Sequence, residues 1–276
     1  MFELPRITIV TPSYNQGNFI EQTIRSVCDQ NYPNLEYIIM DGGSTDGSVE
    51  IIRRYASRLT HWESHKDNGQ ADAIYRGFEL STGNILGWLN SDDFLLPGAI
   101  RKVADYFLNN KNNIGVVGGS ILIDSHGNFI KNRFGIPICN GGMKINQNNL
   151  IYLNGGGFAQ PASFWKKKEF FESGGFDRKL KFCFDFDMYL RLCNYGKFGH
   201  IKDFLACFRI HDLSKTRTMK SIQIKESKLV REKYGSYYKF KPIILLNRMI
   251  YRYYYILKNK LFFIKILLNY RKIPYF

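Results

Sequence analysis

The first 110 residues alternate between short apolar runs and amphipathic segments, and this alternation limits the possible folds more than any other feature of the sequence. Three runs have the length and the β-branched content of buried strands: ITIVTP (7–12), LEYIIMD (35–41) and NILGWLN (84–90). Between them, apolar residues recur every three or four positions, as in amphipathic helices. Strands that alternate with helices predict an α/β fold, in which a mostly parallel sheet carries helices on both faces.

The cysteine pattern and the apolar runs exclude several classes of protein. The five cysteines are scattered, and no two of them form a CxxC pair, so the sequence predicts neither a zinc site nor a disulfide framework. The first ten residues, MFELPRITIV, lack the layout of a secretory signal. No run reaches the roughly 20 uncharged residues of a membrane-spanning helix. We therefore expect reduced thiols and a cytoplasmic protein.

The positive charge is concentrated at the C-terminal end. The residues after Asp212 hold 16 of the 39 Lys and Arg residues but only 2 of the 24 acids, so they account for +14 of the net charge of +15. From about residue 218 the sequence predicts basic amphipathic helices, and 241–276 carries eight bases and no acid among Leu, Ile, Phe and Tyr. This composition predicts a segment that lies on an anionic membrane surface. A helix packed on the rest of the protein is the alternative; no motif indicates nucleic-acid binding.

Three polar loops follow the predicted strands: TPSYNQG, DGGSTDG and NSDD. In an open α/β sheet, ligands bind at the carboxyl ends of the strands, so these loops predict one shared site. Neither GxGxxG nor a P-loop is present, so a bound phosphate needs another neutralising group. A divalent cation on Asp92 or Asp93 is the candidate, although adjacent aspartates before a proline are also an ordinary turn or helix start.

These motifs, in this order, closely resemble glycosyltransferase family 2. The resemblance rests on ITIVTPSYNQG, on MDGGSTDGSVEII, and on GWLNSDD about forty residues later, and it covers roughly residues 5–215. It implies a GT-A fold and an inverting, metal-dependent sugar transfer from a UDP-, dTDP- or GDP-linked donor, with Mn²⁺ or Mg²⁺ as the cofactor. We expect a glycosyltransferase domain at 1–217, with a nucleotide-binding half (1–123) and an acceptor half (124–217), followed by a membrane-associating region (218–276).

The resemblance implies which side chains contact the nucleotide sugar. They are Thr11, Pro12, Tyr14, Asn15, Asp41, Asp67, Gly69, Gln70, Asp72 and Asp92. Two positions depart from the family pattern, because Gly42 replaces a second acid after Asp41 and Asn90 replaces the first acid of the Asp-Ser-Asp-Asp motif. Capping of a turn or of a helix start is the alternative role for Asp41 and for the residues near Asp67.

The resemblance also implies the metal ligands and the general base. Asp93 and His211 are the expected metal ligands, and Asp185 in KFCFDFDMYLRL is the expected base. On a helix, Asp185 and Asp187 point about 200° apart, so at most one of them faces the cleft. The flanking phenylalanines would raise the proton affinity of Asp185, as a base requires. A helix start with a solvated aspartate is the alternative.

The acceptor is expected to lie against GGGFAQPASFW. Here Gln160 supplies hydrogen bonds, while Phe164 and Trp165 form a flat apolar face for a sugar ring; core aromatics are the alternative. With the basic C-terminal segment, the resemblance predicts a lipid-linked saccharide acceptor at the inner face of the membrane, in bacterial surface polysaccharide (such as O-antigen) biosynthesis. A catalytically silent membrane- or nucleic-acid-binding protein and a nucleotidyltransferase are the alternative functions.

Overall fold

The computed structural model describes residues 3–133, 135, 137–140, 145–152 and 158–234. Its strands are β1 (Ile7–Ser13), β2 (Leu35–Asp41), β3 (His61–Ser64), β4 (Ile85–Trp88), β5 (Phe94–Leu95), β6 (Gly115–Ile123), β7 (Cys139–Asn140), β8 (Ser163–Lys166) and β9 (Phe198–Arg209). Its helices are α1 (Ile20–Cys28), α2 (Ser48–Arg54), α3 (Gln70–Leu80), α4 (Ala99–Asn109), α5 (Gln147–Tyr152), α6 (Lys167–Glu172), α7 (Phe184–Leu192), α8 (Lys215–Thr218) and α9 (Lys220–Lys233).

The described strands form one sheet in the order β3-β2-β1-β4-β8-β6-β9-β5, with β7 paired to β6. The strands from β3 to β4 are parallel, as the alternation of strands and helices predicts. Beyond β4 the sheet is mixed, because β8 runs antiparallel to both of its neighbours while β6 and β9 are parallel. Because β8 is antiparallel to β4 and β6 is antiparallel to β8, β6 runs in the same direction as β4. Its parallel neighbour β9 does so too, and the carboxyl ends of β4 and β9 therefore lie at the same edge of the sheet.

Helices cover both faces of the sheet, which confirms the predicted α/β fold. On one face, α1 and α4 pack on side chains such as Ile7 and Ile9. On the other face, α3 packs on Val10 and Met40, and α7 packs on Trp88 and Trp165. Because successive side chains of a strand point to opposite faces, this double cover buries every residue of β1.

The helical segment after residue 217 is part of the packed structure as far as it is described. Val230 of α9 is 2% exposed and lies in the same apolar cluster as residues of α3 and α7. The first part of the region predicted to begin at 218, helix α9, therefore packs on the same core as α3 and α7, and the domain boundary at 217 stays a prediction. The basic segment 241–276 and its predicted membrane contact lie outside the described residues. Within the described residues, no helix is long and apolar enough to span a membrane.

Candidate active site

The carboxyl ends of four parallel strands bring the predicted loops to one edge of the sheet. Ser13 at the end of β1 lies opposite Asp41 at the end of β2, and Asp41 lies opposite Ser64. The loop after β4 is adjacent to β1, since Leu89 donates its N–H to the carbonyl of Val10. The loop after β9 reaches the same edge. The predicted convergence of the polar loops is therefore seen in the structure.

Asp41 organises the loop that follows β2. Its carboxylate is fully buried and accepts hydrogen bonds from the N–H groups of Gly43 and Ser44, at 3.1 and 2.8 Å, and from the hydroxyls of Ser44 and Ser64, at 2.6 and 2.7 Å. Three of these bonds end on Oδ2 and one, from the Ser44 hydroxyl, ends on Oδ1. Asp41 thus has the turn-capping role, and its contact with a nucleoside stays a prediction.

The loop after β1 is held to the loop after β2 by Asn15. The N–H of Asn15 donates to the Ser44 hydroxyl at 2.8 Å, and its side-chain oxygen accepts from the N–H of Thr45 at 2.9 Å. The adjacent Tyr14 is 63% exposed and presents its ring to solvent. In contrast, Thr11 is fully buried against the Tyr37 hydroxyl, and Pro12 is also buried. Thr11 and Pro12 lie beneath this edge, and their contact with the nucleotide sugar stays a prediction.

His211 pairs with Asp92 and not with Asp93. The Nε2 atom of His211 lies 3.0 Å from Oδ2 of Asp92, because the carboxyl end of β9 meets the loop after β4. The imidazole is 6% exposed and the Asp92 side chain 18%, so the pair is mostly buried and retains some solvent-accessible surface, mainly on Asp92. The ring of Phe19 packs on the imidazole with centroids 4.7 Å apart, which fixes the orientation of the ring.

Asp93 is buried behind this pair. Its carboxylate is 1% exposed and accepts hydrogen bonds from the N–H of Arg209 at 2.8 Å and from the Asn90 amide at 3.3 Å. Burial, and next the charge of Asp92, raise the pKa of Asp93 well above its ordinary value. The carboxylate beside the imidazole therefore belongs to Asp92 and not to Asp93, and metal binding by Asp93 stays a prediction.

Arg209 holds the acidic loop in place, and sequence reasoning missed it. Its guanidinium donates to the carbonyls of Asp92 and Asp124, at 2.8 and 3.1 Å, and lies over the Phe19 ring at 4.8 Å from the centroid. Burial lowers the pKa of Arg209, but a guanidinium stays charged at neutral pH. The signal was a lone base at the end of an apolar strand, in CFRIHD.

Asn90 connects the acidic loop to two glutamines. Its side-chain oxygen accepts from Gln70 at 2.7 Å, and its amide nitrogen donates to Asp93 at 3.3 Å and to Gln160 at 3.2 Å. An aspartate lacks the donor that two of these bonds require. The departure from the family pattern therefore has a local reason. The amide of Asn90 donates to the oxygens of Asp93 and Gln160, and a carboxylate at this position would repel them.

Asp185 and Asp187 occupy different environments, as the helical spacing predicts. Asp187 is fully buried and pairs with Arg191 at 2.8 Å and with Lys233 at 2.8 Å, so it is structural. Asp185 is only partly buried and accepts a hydrogen bond from the N–H of Phe186. Burial raises the pKa of Asp185 to about 6, although that N–H and the charge of Lys215 oppose the rise.

Lys215 links the surroundings of Asp185 to the acidic loop. Its Nζ donates to Oε1 of Gln70 at 2.7 Å, and Gln70 in turn donates to Asn90. Burial lowers the pKa of Lys215, and next the charge of Asp185 raises it. The chain of contacts Lys215, Gln70, Asn90 thus joins the start of α7 to the end of β4.

The other residues predicted near the nucleotide sugar lie around the start of α3. Asp67 accepts the N–H of Gly69 at 2.7 Å, which forms a tight turn before the helix. Its carboxylate also fills the space beside Gly42, where an added Cβ would lie 2.9 Å from Oδ2 of Asp67. Asp72 pairs with Arg178 at 3.1 Å. Asp67 remains at the edge, whereas Asp72 has a structural partner.

The predicted acceptor face is wrong for its two aromatics. Phe164 and Trp165 belong to β8, in the middle of the sheet, and are 1% and 0% exposed. Side chains without accessible surface cannot contact an acceptor, so both take the alternative role of core aromatics. Gln160 lies at the edge, between Asn90 and the carbonyl of Trp88, to which it donates at 3.0 Å.

Known relatives are longer than this chain. The chondroitin synthase of Escherichia coli is 29% identical over 255 residues, which are 88% of this chain and 35% of that protein. The hyaluronan synthase of Pasteurella multocida is 28% identical over 200 residues, 72% of this chain and 20% of that protein. The chain therefore spans about a third or less of the length of these curated relatives.

Solved structures share the fold. S. aureus TarS 1–349 in complex with UDP superimposes with a TM-score of 0.61 at 15% identity, over 82% of this chain and 64% of that chain. The mannosyltransferase PcManGT from Pyrobaculum calidifontis, in complex with GDP-Man and Mn²⁺, superimposes with a TM-score of 0.59 at 18% identity, over 88% of this chain and 68% of that chain.

Residues 8–176 match the family described as Glycosyl transferase family 2. The match covers the loops after β1, β2 and β4 and ends before Asp185 and His211. Because it spans more than half of the chain, and because the α/β fold is that of the solved GT-A glycosyltransferases, this protein belongs to glycosyl transferase family 2.

Proposed function

We propose that this protein is an inverting glycosyltransferase that moves a sugar from a nucleotide-sugar donor to a hydroxyl group of a saccharide acceptor. The observation that carries the proposal is the arrangement at one edge of the sheet. In the carboxylate and imidazole pair of Asp92 and His211, Asp92 lies on the same loop as Asn90. Asn90 is joined through Gln70 and Lys215 to the surroundings of Asp185, whose pKa is raised to about 6.

The nucleotide is proposed to bind over the loops after β1 and β2. Tyr14 offers an exposed ring for the base, and the contacts of Asn15 with Ser44 and Thr45 hold these loops in a fixed relation. Solved relatives of the same fold were obtained with UDP, with UDP-GlcNAc and with GDP-Man. These complexes support a nucleotide-sugar donor for this chain and do not select the nucleotide.

Mn²⁺ or Mg²⁺ is proposed to bind between Asp92 and His211. Asp92 and His211 would hold the ion, because a carboxylate oxygen and an imidazole nitrogen, here 3.0 Å apart, are donors that such an ion accepts. Among the described residues, no group of three or more His, Cys, Asp or Glu side chains surrounds a metal position. Such an ion would neutralise charge on the leaving diphosphate.

The segment after His211 offers a further group for the diphosphate. Lys215 carries a partly buried positive charge. A cation suits a phosphate oxygen. We include Lys215 in the proposed donor site.

Asp185 is proposed to act as the general base. At neutral pH a carboxyl group with a pKa of about 6 is mostly ionised and holds a proton more readily than an ordinary aspartate. It would accept the proton of the acceptor hydroxyl while that oxygen forms a bond to the anomeric carbon and the bond from this carbon to the diphosphate breaks. One displacement from the opposite face inverts the configuration.

The acceptor is proposed to be a lipid-linked saccharide in the assembly of a bacterial surface polysaccharide. The support is twofold: the relatives are named as synthases of chondroitin and hyaluronan, and the sequence after residue 234 is basic and rich in apolar residues. We propose that this sequence contacts an anionic membrane surface at its cytoplasmic face.

To test the proposal, the protein is incubated with UDP-, dTDP- and GDP-sugars in the presence of Mn²⁺, and the released nucleoside diphosphate is measured. The wild type is expected to turn over one donor class. Asp185→Asn is expected to lower turnover by about 10²-fold or more with little change in donor affinity, given what a positioned base contributes. Asp105→Asn is the matched control, because Asp105 forms only an exposed pair with Arg101 on α4.

Three results would contradict the proposal. Release of pyrophosphate instead of nucleoside diphosphate would identify a nucleotidyltransferase. Absence of both turnover and nucleotide binding would support the catalytically silent alternative. Equal turnover by Asp185→Asn and the wild type would place the base elsewhere.

A further inference from the structure

The three residues that lead into α7 are held by a carboxylate from a different helix. Glu226 of α9 accepts the N–H groups of Lys181 at 2.8 Å, Phe182 at 2.8 Å and Cys183 at 2.9 Å. Glu226 is 8% exposed. Three backbone donors on one buried carboxylate form a strong and directional clamp, because each bond is assisted by the negative charge.

This clamp includes the N-cap residue of α7. The N-cap position is Cys183, and no side-chain hydrogen bond caps the helix. The first N–H groups of a helix have no partner within the helix, and the positive end of the helix dipole favours a negative charge. Glu226 accepts one of these groups, the N–H of Cys183, and brings its charge from a position 43 residues later in the sequence, while the N–H groups of Lys181 and Phe182 that it also binds precede the helix.

Three further contacts fix the same turn. Lys215 donates to the carbonyl of Lys181 at 2.8 Å, so the backbone of residue 181 is bound on both its N–H and its C=O side. One turn into α7, Asp187 accepts from Lys233 at 2.8 Å and from Tyr234 at 3.2 Å. Asp185 lies between these fixed points, at the second residue of α7.

We propose that Glu226 is a positioning residue for the base, which holds the first turn of α7 so that the Asp185 carboxylate is presented to the acceptor hydroxyl. The inference rests on the proposed function of Asp185. In this proposal α9 contributes a residue that positions the catalytic base, although the family match ends at residue 176.

The charge of Glu226 has a second effect on Asp185. The charged or titratable groups around Asp185 are Lys215 from α8, Glu226 from α9, and Cys183 and Tyr189 on its own segment. Burial contributes most to the raised pKa of Asp185, Lys215 opposes the rise, and Glu226 adds to it. Loss of the negative charge at 226 therefore lowers the pKa of Asp185 and extends its ionised state to lower pH.

The test compares Glu226→Gln and Glu226→Asp with Glu232→Gln, a control on the same helix whose side chain is 42% exposed. For each variant, kcat with the donor that the wild type turns over, the Kd of the matching nucleoside diphosphate with Mn²⁺, and the Tm are measured. Glu226→Gln is expected to lower kcat by about 10-fold or more, with the Kd within about 2-fold of the wild type, and to move the acidic limb of kcat to lower pH. Glu226→Asp keeps the charge but not the reach, so it should lower kcat and leave the acidic limb in place.

The outcomes separate positioning from mere stability. If both Glu226 variants match Glu232→Gln in kcat, or if the acidic limb moves equally in all three, the inference is overturned. A parallel fall of kcat, nucleotide affinity and Tm would also overturn it, because that pattern reports general loss of structure. If Asp185→Asn retains turnover, the proposed function fails first, whatever the Glu226 variants do.

Discussion

Asp185→Asn is expected to make the protein more stable at neutral pH while it removes turnover. Burial raises the pKa of Asp185 from 3.8 to about 6, so the folded protein holds an ionised carboxylate there at a cost in stability. A rise of this size corresponds to about 3 kcal/mol against the ionised form. Because the side chain is only partly buried, solvent screening reduces this value, and we expect a gain of about 1–3 kcal/mol for the neutral amide.

The sign of the pH dependence follows from the same shift. The folded-state pKa lies above the unfolded-state value, so the cost is fully present above pH 6 and vanishes as the pH falls toward 3.8. The stability gain of Asp185→Asn should therefore be largest near pH 7.5 and close to zero near pH 4. In a chain of this length, 1 kcal/mol corresponds to about 2–4 °C in Tm.

Asp187→Asn is the matched comparison, two residues further along the same helix. Asp187 is 1% exposed on its side chain and pairs with Arg191 and Lys233, both at 2.8 Å. Removal of one partner from a buried pair costs about 3–5 kcal/mol, and the half-exposed Lys233 brings the expected loss to about 3 kcal/mol. Urea unfolding at pH 4.5 and 7.5 measures both variants. The reasoning is refuted if Asp185→Asn is less stable than the wild type at pH 7.5, or if its gain is the same at both pH values.

Four further substitutions test other parts of the account. Asp92→Asn should weaken Mn²⁺ binding in the presence of nucleoside diphosphate by about 10-fold or more, since it removes the anionic ligand; titration calorimetry measures this, and unchanged affinity would move the metal elsewhere. Asn90→Asp loses two donated hydrogen bonds, so urea unfolding should show a loss of about 1–3 kcal/mol. Trp165→Ala should cost about 3–5 kcal/mol as a core truncation, and an unchanged Tm would contradict its burial. Burial would raise the pKa of Glu36, but hydrogen bonds from Thr8, Thr82 and Gly83 outweigh it and lower the pKa. The loss of stability caused by Glu36→Gln should therefore become smaller as the pH falls below about 4.5.

The fold was predictable because the alternation of strands and helices is a local signal. The run ITIVTP contains no polar face, and the structure explains this by packing Ile9 against α1 and Val10 against α3. The edge that carries the site followed from the same reasoning, since carboxyl ends of parallel strands meet. The mixed half of the sheet was harder to predict from the sequence. There, β8 pairs antiparallel with β4 and with β6, and these partners are far from it in the sequence.

Details of the site depended on directions that a sequence does not encode. Asp92 and Asp93 are adjacent, and the loop between β4 and β5 turns one carboxylate to His211 and the other toward Arg209. A pattern of residue types cannot distinguish these two outcomes. The predicted role of the aromatics of β8 was wrong for a similar reason. A tryptophan after a glycine-rich loop, such as Trp165, is compatible both with stacking on a sugar ring and with a buried strand.

Residues that act across elements were the hardest to predict. Glu226 lies in a basic helix and carries no motif, yet it caps a helix that begins far earlier in the chain. Arg209 likewise contacts the acidic loop only because β9 runs beside β5. In contrast, the different roles of Asp185 and Asp187 followed from helical geometry alone, since their directions differ by about 200°.

The central claim is that one edge of the sheet holds the cation, the diphosphate and the base of a sugar transfer. Anomalous diffraction from crystals grown with Mn²⁺ and the nucleoside diphosphate of the active donor tests it most directly. We expect one Mn²⁺ peak between Oδ2 of Asp92 and Nε2 of His211, with the diphosphate beside it and the open space for the acceptor on the side of Asp185. Nucleotide bound at another surface, or a Mn²⁺ peak away from Asp92 and His211, would contradict the account.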